Sequence, residues 1–177
     1  IVGDNARSIV KGIDNIYIPN LPCFAHSLQL VVADAVMTQE NICDVLKRSR
    51  KIVGHFKHSQ LAYSRLEEIQ KNMNEKPKRL QQDVVTRWNS TFYMVQTLVE
   101  QKTALQIYFA KHDILFYLSN QDWGLLESIL SILGPFEELT TKISSTESKA
   151  SDVIPLLAVL RRILEKGNEE NNFIKEM

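Results

Sequence analysis

At 177 residues, with 44% apolar and 24% charged side chains, the chain has the composition of one globular domain able to bury a sizeable core. Its formal net charge of +0 excludes a histone-like polycation, and no run is long and apolar enough to span a bilayer. The opening residues do not read as a signal peptide, and Cys23 and Cys43 make no disulfide framework, so a reducing compartment, cytosol or nucleus, is expected.

The first stretch differs from the rest. "IVGDN" reads as the end of a short strand entering an Asp-Asn turn. "ARSIVKGI" has room for one or two helical turns, closed by Gly12 or by Asp14-Asn15. "IYIPNLPCF", with two prolines, suits an edge strand or an extended entry segment. From Ala25 the apolar period becomes helical. Leu28, Val31, Val32, Ala35 and Val36 share one face; Ile42, Val45, Leu46, Ile52, Val53 and Phe56 form the next stripe; Leu61, Leu66 and Ile69 follow. "NEKPKR" is a polar break. A long stripe then runs Phe92, Val95, Leu98, Val99, Leu105, Phe109. Ser119 or Asn120 is suited to cap a helix carrying Trp123, Leu126, Ile129, Leu130 and Leu133, which Gly134-Pro135 is expected to kink or break. "SSTESKAS" is a loop, Ser151 is the expected cap of a last helix, and the polar tail from about residue 166 is expected to fray.

Charge is distributed unevenly. Residues 41–90 hold eleven Lys/Arg against five Asp/Glu, a net of +6, whereas 113–177 hold six against eleven, a net of −5. Lys47, Arg48, Arg50 and Lys51 fall on adjacent helical turns, with Lys57 and His58 beyond, and are expected to make salt-sensitive, sequence-independent phosphate contacts. A solvated helix face is the competing reading. The familiar catalytic patterns are absent: no P-loop, no dinucleotide-binding glycine run, no HExxH, no CxxC. Cys23 and His26 have zinc-ligand spacing on one side only, and closing a site would need Cys43, His55 or His58; a buried thiol beside a locally bonded histidine accounts for the pair more simply. Asp4 stands where a strand-end carboxylate holds Mg²⁺ in phosphoryl-transfer folds, but Asp-Asn is also a common turn filler. In "DVVTRWNST", Asn89 and Ser90 are good helix caps. Trp88 is then either a core anchor stapled to Tyr93 or, with Arg87, a platform for a flat anionic ligand such as a nucleotide.

Taken in order, "VGDNARSIV", "PCFAHSLQLVVADAV" and "DVVTRWNSTFYMVQTLVE", with "LSNQDWGLLESILSILGPFEELTTKISS" after them, resemble the hAT transposase superfamily and its BED-zinc-finger descendants. The resemblance covers nearly the whole chain. It implies a mostly α fold: a remnant of an RNase H-like α/β domain over 1–24, then an all-helical insertion domain over 25–177. It makes Asp4 a catalytic Mg²⁺-binding carboxylate and places Cys23 structurally near the active site. His26, Arg87 and Trp88 become DNA-binding residues, the indole stacking on a base turned out of the duplex. No strand for the first carboxylate and no helix with the catalytic Glu are in the sequence, so the fragment by itself is expected to be inactive, without a resident cofactor. Zinc is expected only in a BED finger outside it, and homo-oligomerisation through a region outside it. "GDNARS" departs from the usual Thr before the Asp and Asn after the Ser, which leaves room for a domesticated descendant. The expected role is therefore a transposase or a transposase-derived, DNA-binding, transcription-regulating nuclear protein with no membrane partner. The alternative is a helical protein-interaction scaffold.

Overall fold

The computed structural model describes residues 2–3, 11–12, 21–112, 114, 116–145 and 149–170. Extended structure among them is limited to two dipeptides, β1 (Val2–Gly3) and β2 (Leu21–Pro22), paired in parallel with Val2 opposite Leu21. The described architecture is helical: after helical backbone at residues 11–12 come α1 Phe24–Ala35, α2 Glu40–His58, α3 Gln60–Asn72, α4 Trp88–Glu100, α5 Lys102–Lys111, α6 Asn120–Ile143 and α7 Val153–Glu170. The change of apolar period falls at 24/25, whereas packing divides the chain into one unit of 35–131 and another of 1–34 with 132–177.

In the 35–131 unit, α2 is the central helix by burial. Ile42, Val45, Leu46, Ser49, Ile52, Val53 and Phe56 are all buried, a stripe at three- and four-residue spacing. Ser49 is polar in that stripe and donates its hydroxyl to the Val45 carbonyl at 2.8 Å, which satisfies it locally. A single residue, Ser59, separates α2 from α3. Its extended backbone ends one helix while its hydroxyl accepts the Ala62 N–H at 3.2 Å to cap the next. Asn74 takes a left-handed conformation (φ 58°) just after α3, a state Asn tolerates better than most residues, and Glu75 N–H closes on the Gln70 carbonyl.

Residues 75–87 have no regular structure, so side chains must satisfy their backbone. Gln70 brackets Lys78, accepting its N–H (3.2 Å) and donating to its carbonyl (3.1 Å). Thr97 accepts from Gln81 N–H at 3.2 Å, and Ser90 accepts from Val84 N–H at 2.8 Å. The polar break is thereby laid down along α3 and α4.

Three expectations about boundaries change. Arg87, not Asn89, occupies the cap position before α4; Ser90 sits in the first turn, where its Oγ accepts the Val84 N–H and lies 2.7 Å from the Arg87 carbonyl. The stripe from Phe92 to Phe109 is two helices, interrupted at Gln101, with Phe92, Val99 and Phe109 half-buried. Conversely, α6 runs unbroken through Pro135. Proline costs an interior helix about 3 kcal/mol, but the buried positions Trp123, Leu126, Ile129, Leu133, Phe136 and Leu139 keep a continuous helical spacing on either side of it. The Ser119 cap is as expected: its hydroxyl accepts the Asp122 N–H (3.1 Å) while Asp122 accepts the Ser119 N–H (2.9 Å).

In the other unit, α1 buries Leu28 and Val32, while Val31 and Ala35, expected on the same face, are exposed. The last helix begins at Val153, after a 3-10 turn in which Asp152, not Ser151, accepts the N–H of Lys149. Helical backbone continues to Glu170, and the rest of the expected fraying tail lies outside the described residues.

Candidate nucleic-acid interface

The four cations of α2 divide into two pairs. Arg50 grips Asp83 through Nε (2.9 Å) and Nη2 (2.8 Å), and Thr91 donates its hydroxyl to the same carboxylate at 3.0 Å. The Asp83 side chain is 0% exposed, so Arg50 and Thr91 replace its water shell. This cluster ties 83–87 and the first turn of α4 to α2. Arg48 reaches Asp122 at 2.5 Å and links α2 to the start of α6. Burial by itself would push the Asp122 carboxyl up, but the Ser119 N–H and hydroxyl and the Arg48 guanidinium hold it below the ordinary carboxylate value. Arg48 and Arg50 are therefore engaged in internal ion pairs, a role the sequence reading did not assign them. Lys47 and Lys51 are exposed, one turn apart, and neither takes part in an ion pair among the described residues. They remain as a cationic face, with His58 two turns further along the same side.

Arg87 is exposed at the start of α4, where backbone N–H groups add positive potential. Trp88 beside it is 2% exposed. The expectation of a partly exposed stacking platform is corrected here: as the first residue of α4, Trp88 shares a buried face with Thr91, Met94 and Val95, and its indole offers no open surface to a base. Asp83 opens the stretch "DVVTRWNST", but no role there points to it. Its only signal is that of a lone acid between "LQQ" and an apolar pair in a segment otherwise rich in cations.

His55 Nε2 lies 3.0 Å from the Tyr108 hydroxyl, with Phe56 and Phe116 edge-on to its ring. Burial, and then the charge of His112, lowers its pKa. Cys43 donates to the Met37 carbonyl. Cys23 and His26 are half-buried in the other unit, where the Cys23 carbonyl accepts from Ser27 at the start of α1. Among the described residues no group of three or more His, Cys, Asp or Glu side chains comes together to hold a metal. Asp4 lies outside the described residues.

The family model described as the ZBED1 RNase-like helical domain matches residues 21–132, well over half of the chain. Human zinc finger BED domain-containing protein 6 is 34% identical over 96% of the chain, and human zinc finger BED domain-containing protein 4 is 31% identical over 99%. A Zea mays protein whose name includes "AC transposase" is 29% identical over 74%. The chain spans only 17%, 15% and 16% of the lengths of these relatives. No solved structure matches it. With helices α1 to α5 and the first half of α6 inside the matched range, the chain belongs to the ZBED1 RNase-like helical domain family, of proteins derived from hAT transposases.

Proposed function

We propose that this chain is a DNA-contacting helical segment of a transposase-derived nuclear protein, either a transposase or a regulator of transcription. The observation that carries the reading is the cationic pair Lys47 and Lys51, exposed on one face of α2 while the arginines between them are engaged internally. Such a face supplies phosphate contacts without reading sequence. The relatives named BED zinc finger proteins support the nuclear setting. The test is binding of the 177-residue chain to a random-sequence duplex, followed by fluorescence anisotropy, with Lys47→Glu/Lys51→Glu as the probe. Strong loss of affinity with an unchanged melting temperature supports the reading; equal affinity rejects it.

Asp4 belongs to the same proposal as one carboxylate of a Mg²⁺ site in the longer protein, with Cys23 and His26 near it. Asp4→Asn in the longer protein is expected to abolish Mg²⁺-dependent DNA cleavage while leaving duplex binding intact, because it removes one metal-binding charge at nearly constant shape. Cleavage that persists in the variant makes Asp4 a turn residue. Self-association through a region outside residues 1–177 remains part of the reading.

The second reading, an interaction scaffold without a DNA role, has one observation in its favour. In the unit of 1–34 with 132–177, an apolar groove of 380 Å³ runs between Phe24, Leu28 and Val31 of α1, Phe136 of α6, and Leu157 and Leu164 of α7. If α2 variants leave DNA binding unchanged and groove variants abolish association of the longer protein, this second reading replaces the first.

A further inference from the structure

A second cationic feature of the 35–131 unit is concave. A cavity of 200 Å³ lies between the end of α2, the start of α3 and the 75–87 segment. Phe56 and Leu80 give its lining apolar surface, and Lys57, Gln60, Tyr63, Arg79 and Gln82 complete it. No carboxylate lines it. The Arg79 guanidinium carbon lies over the Tyr63 ring, 4.4 Å from the centroid, a cation–π contact that anchors an otherwise exposed side chain beside the hollow. Neither Lys57 nor Arg79 has an ion pair among the described residues. Two uncompensated cations, two amide side chains and apolar surface in one hollow are a recognition arrangement rather than a solvated helix face.

We infer that this cavity is a subsite for one unit of a single-stranded nucleic acid. A phosphate lies between Lys57 and Arg79, and an unstacked base lies against the Arg79 guanidinium, with its edge toward the Gln60 and Gln82 amides. Three features favour this ligand. The volume is below the range of roughly 300–1,000 Å³ typical of small-molecule sites, so it fits one part of a longer ligand rather than a free cofactor. A base paired inside a duplex presents only its edge and cannot enter a hollow. A phosphorylated peptide would engage the cations but leave the apolar surface and the amides without partners. The inference rests on the nucleic-acid reading of this unit and names a strand type and a site that the α2 face alone does not.

The experiment titrates the 177-residue chain with a fluorescent single-stranded oligothymidylate and, separately, with a duplex of equal length. Lys57→Ala, Arg79→Ala and Arg79→Lys are compared with Lys47→Ala/Lys51→Ala, and circular dichroism checks folding. The expected result is a loss of about tenfold in single-strand affinity for Arg79→Ala, the size of one missing base stack, with duplex affinity nearly constant. Arg79→Lys restores charge without the plane and recovers only part of the loss. If Arg79→Ala does not fold, Lys57→Ala and Gln82→Ala carry the same comparison. Unchanged single-strand affinity, or equal losses for single strand and duplex, overturns the subsite. If at the same time Lys47→Ala/Lys51→Ala still weakens duplex binding, the α2 face survives and only the cavity assignment fails. A phosphoserine peptide that displaces the oligonucleotide at lower concentration than unlabelled oligonucleotide does also overturns it. A chain that binds neither nucleic acid overturns both readings.

Discussion

Asp83 is a carboxylate wholly out of water, held by a two-pronged arginine and a threonine hydroxyl on three different parts of the chain. Removing Arg50 strands that charge. Arg50→Ala is expected to cost about 3–5 kcal/mol, as when one partner of a buried pair is deleted. Arg50→Lys is expected to recover only part, since an ammonium cannot form the two parallel bonds. Chemical denaturation measures both, and a cost for Arg50→Ala near that of an ordinary surface change would contradict the assignment. With its indole in the core, Trp88→Ala is expected to destabilise by about 3–5 kcal/mol. Any DNA-binding defect should then appear only in proportion to unfolding. A well-folded Trp88→Ala protein with a selective loss of binding to unpaired ends would restore the stacking role. The sequence shows the Arg-Trp adjacency but not its depth, because that depends on where a thirteen-residue irregular segment is laid down.

Periodicity made most of the helices legible. The runs at 42–56 and 123–133 are buried nearly as spaced, and Ser119 caps where its hydroxyl is expected. What was hidden depends on tertiary satisfaction. Ser90 looks like a cap and bonds Val84 instead, Gln101 interrupts an unbroken apolar stripe, and Pro135 is carried inside α6. The meeting of α2 and α5 through His55 and Tyr108 has a pH signature. His55 is lowered from its ordinary 6.5 by burial and by His112, so the unfolded chain takes up its proton first as pH falls. Its stabilising contribution is complete above 6.5 and is lost as pH drops through the lowered folded value. The Asp122 carboxyl is also lowered, from 3.8, so its contribution persists until much stronger acid. Thermal melts are therefore expected to fall below pH 6.5 well before the carboxylates titrate, and His55→Gln, which keeps a partner for Tyr108, should flatten that first fall. An unaltered pH profile in the variant would show that another group titrates there.

At the scale of the whole chain, net neutrality conceals a division of charge, and the structure refines it further. Within the basic 41–90 segment some cations hold the fold together and others remain at the surface. Order and spacing of motifs made the family legible. The RNase H-like remnant rests on the resemblance alone, because Asp4 and most of its neighbours lie outside the described residues. The exposed side chains of α7, with Ile154 78% exposed, were unreadable from a helical period that looks like any buried helix. The most direct test of the central claim, that Lys47 and Lys51 bind phosphate while Arg48 and Arg50 hold the fold, is the slope of log duplex affinity against log salt. Lys47→Ala/Lys51→Ala is expected to reduce that slope by roughly 1.8, about 0.9 for each phosphate no longer neutralised, with the melting temperature nearly unchanged. A slope equal to that of the unaltered chain would contradict it.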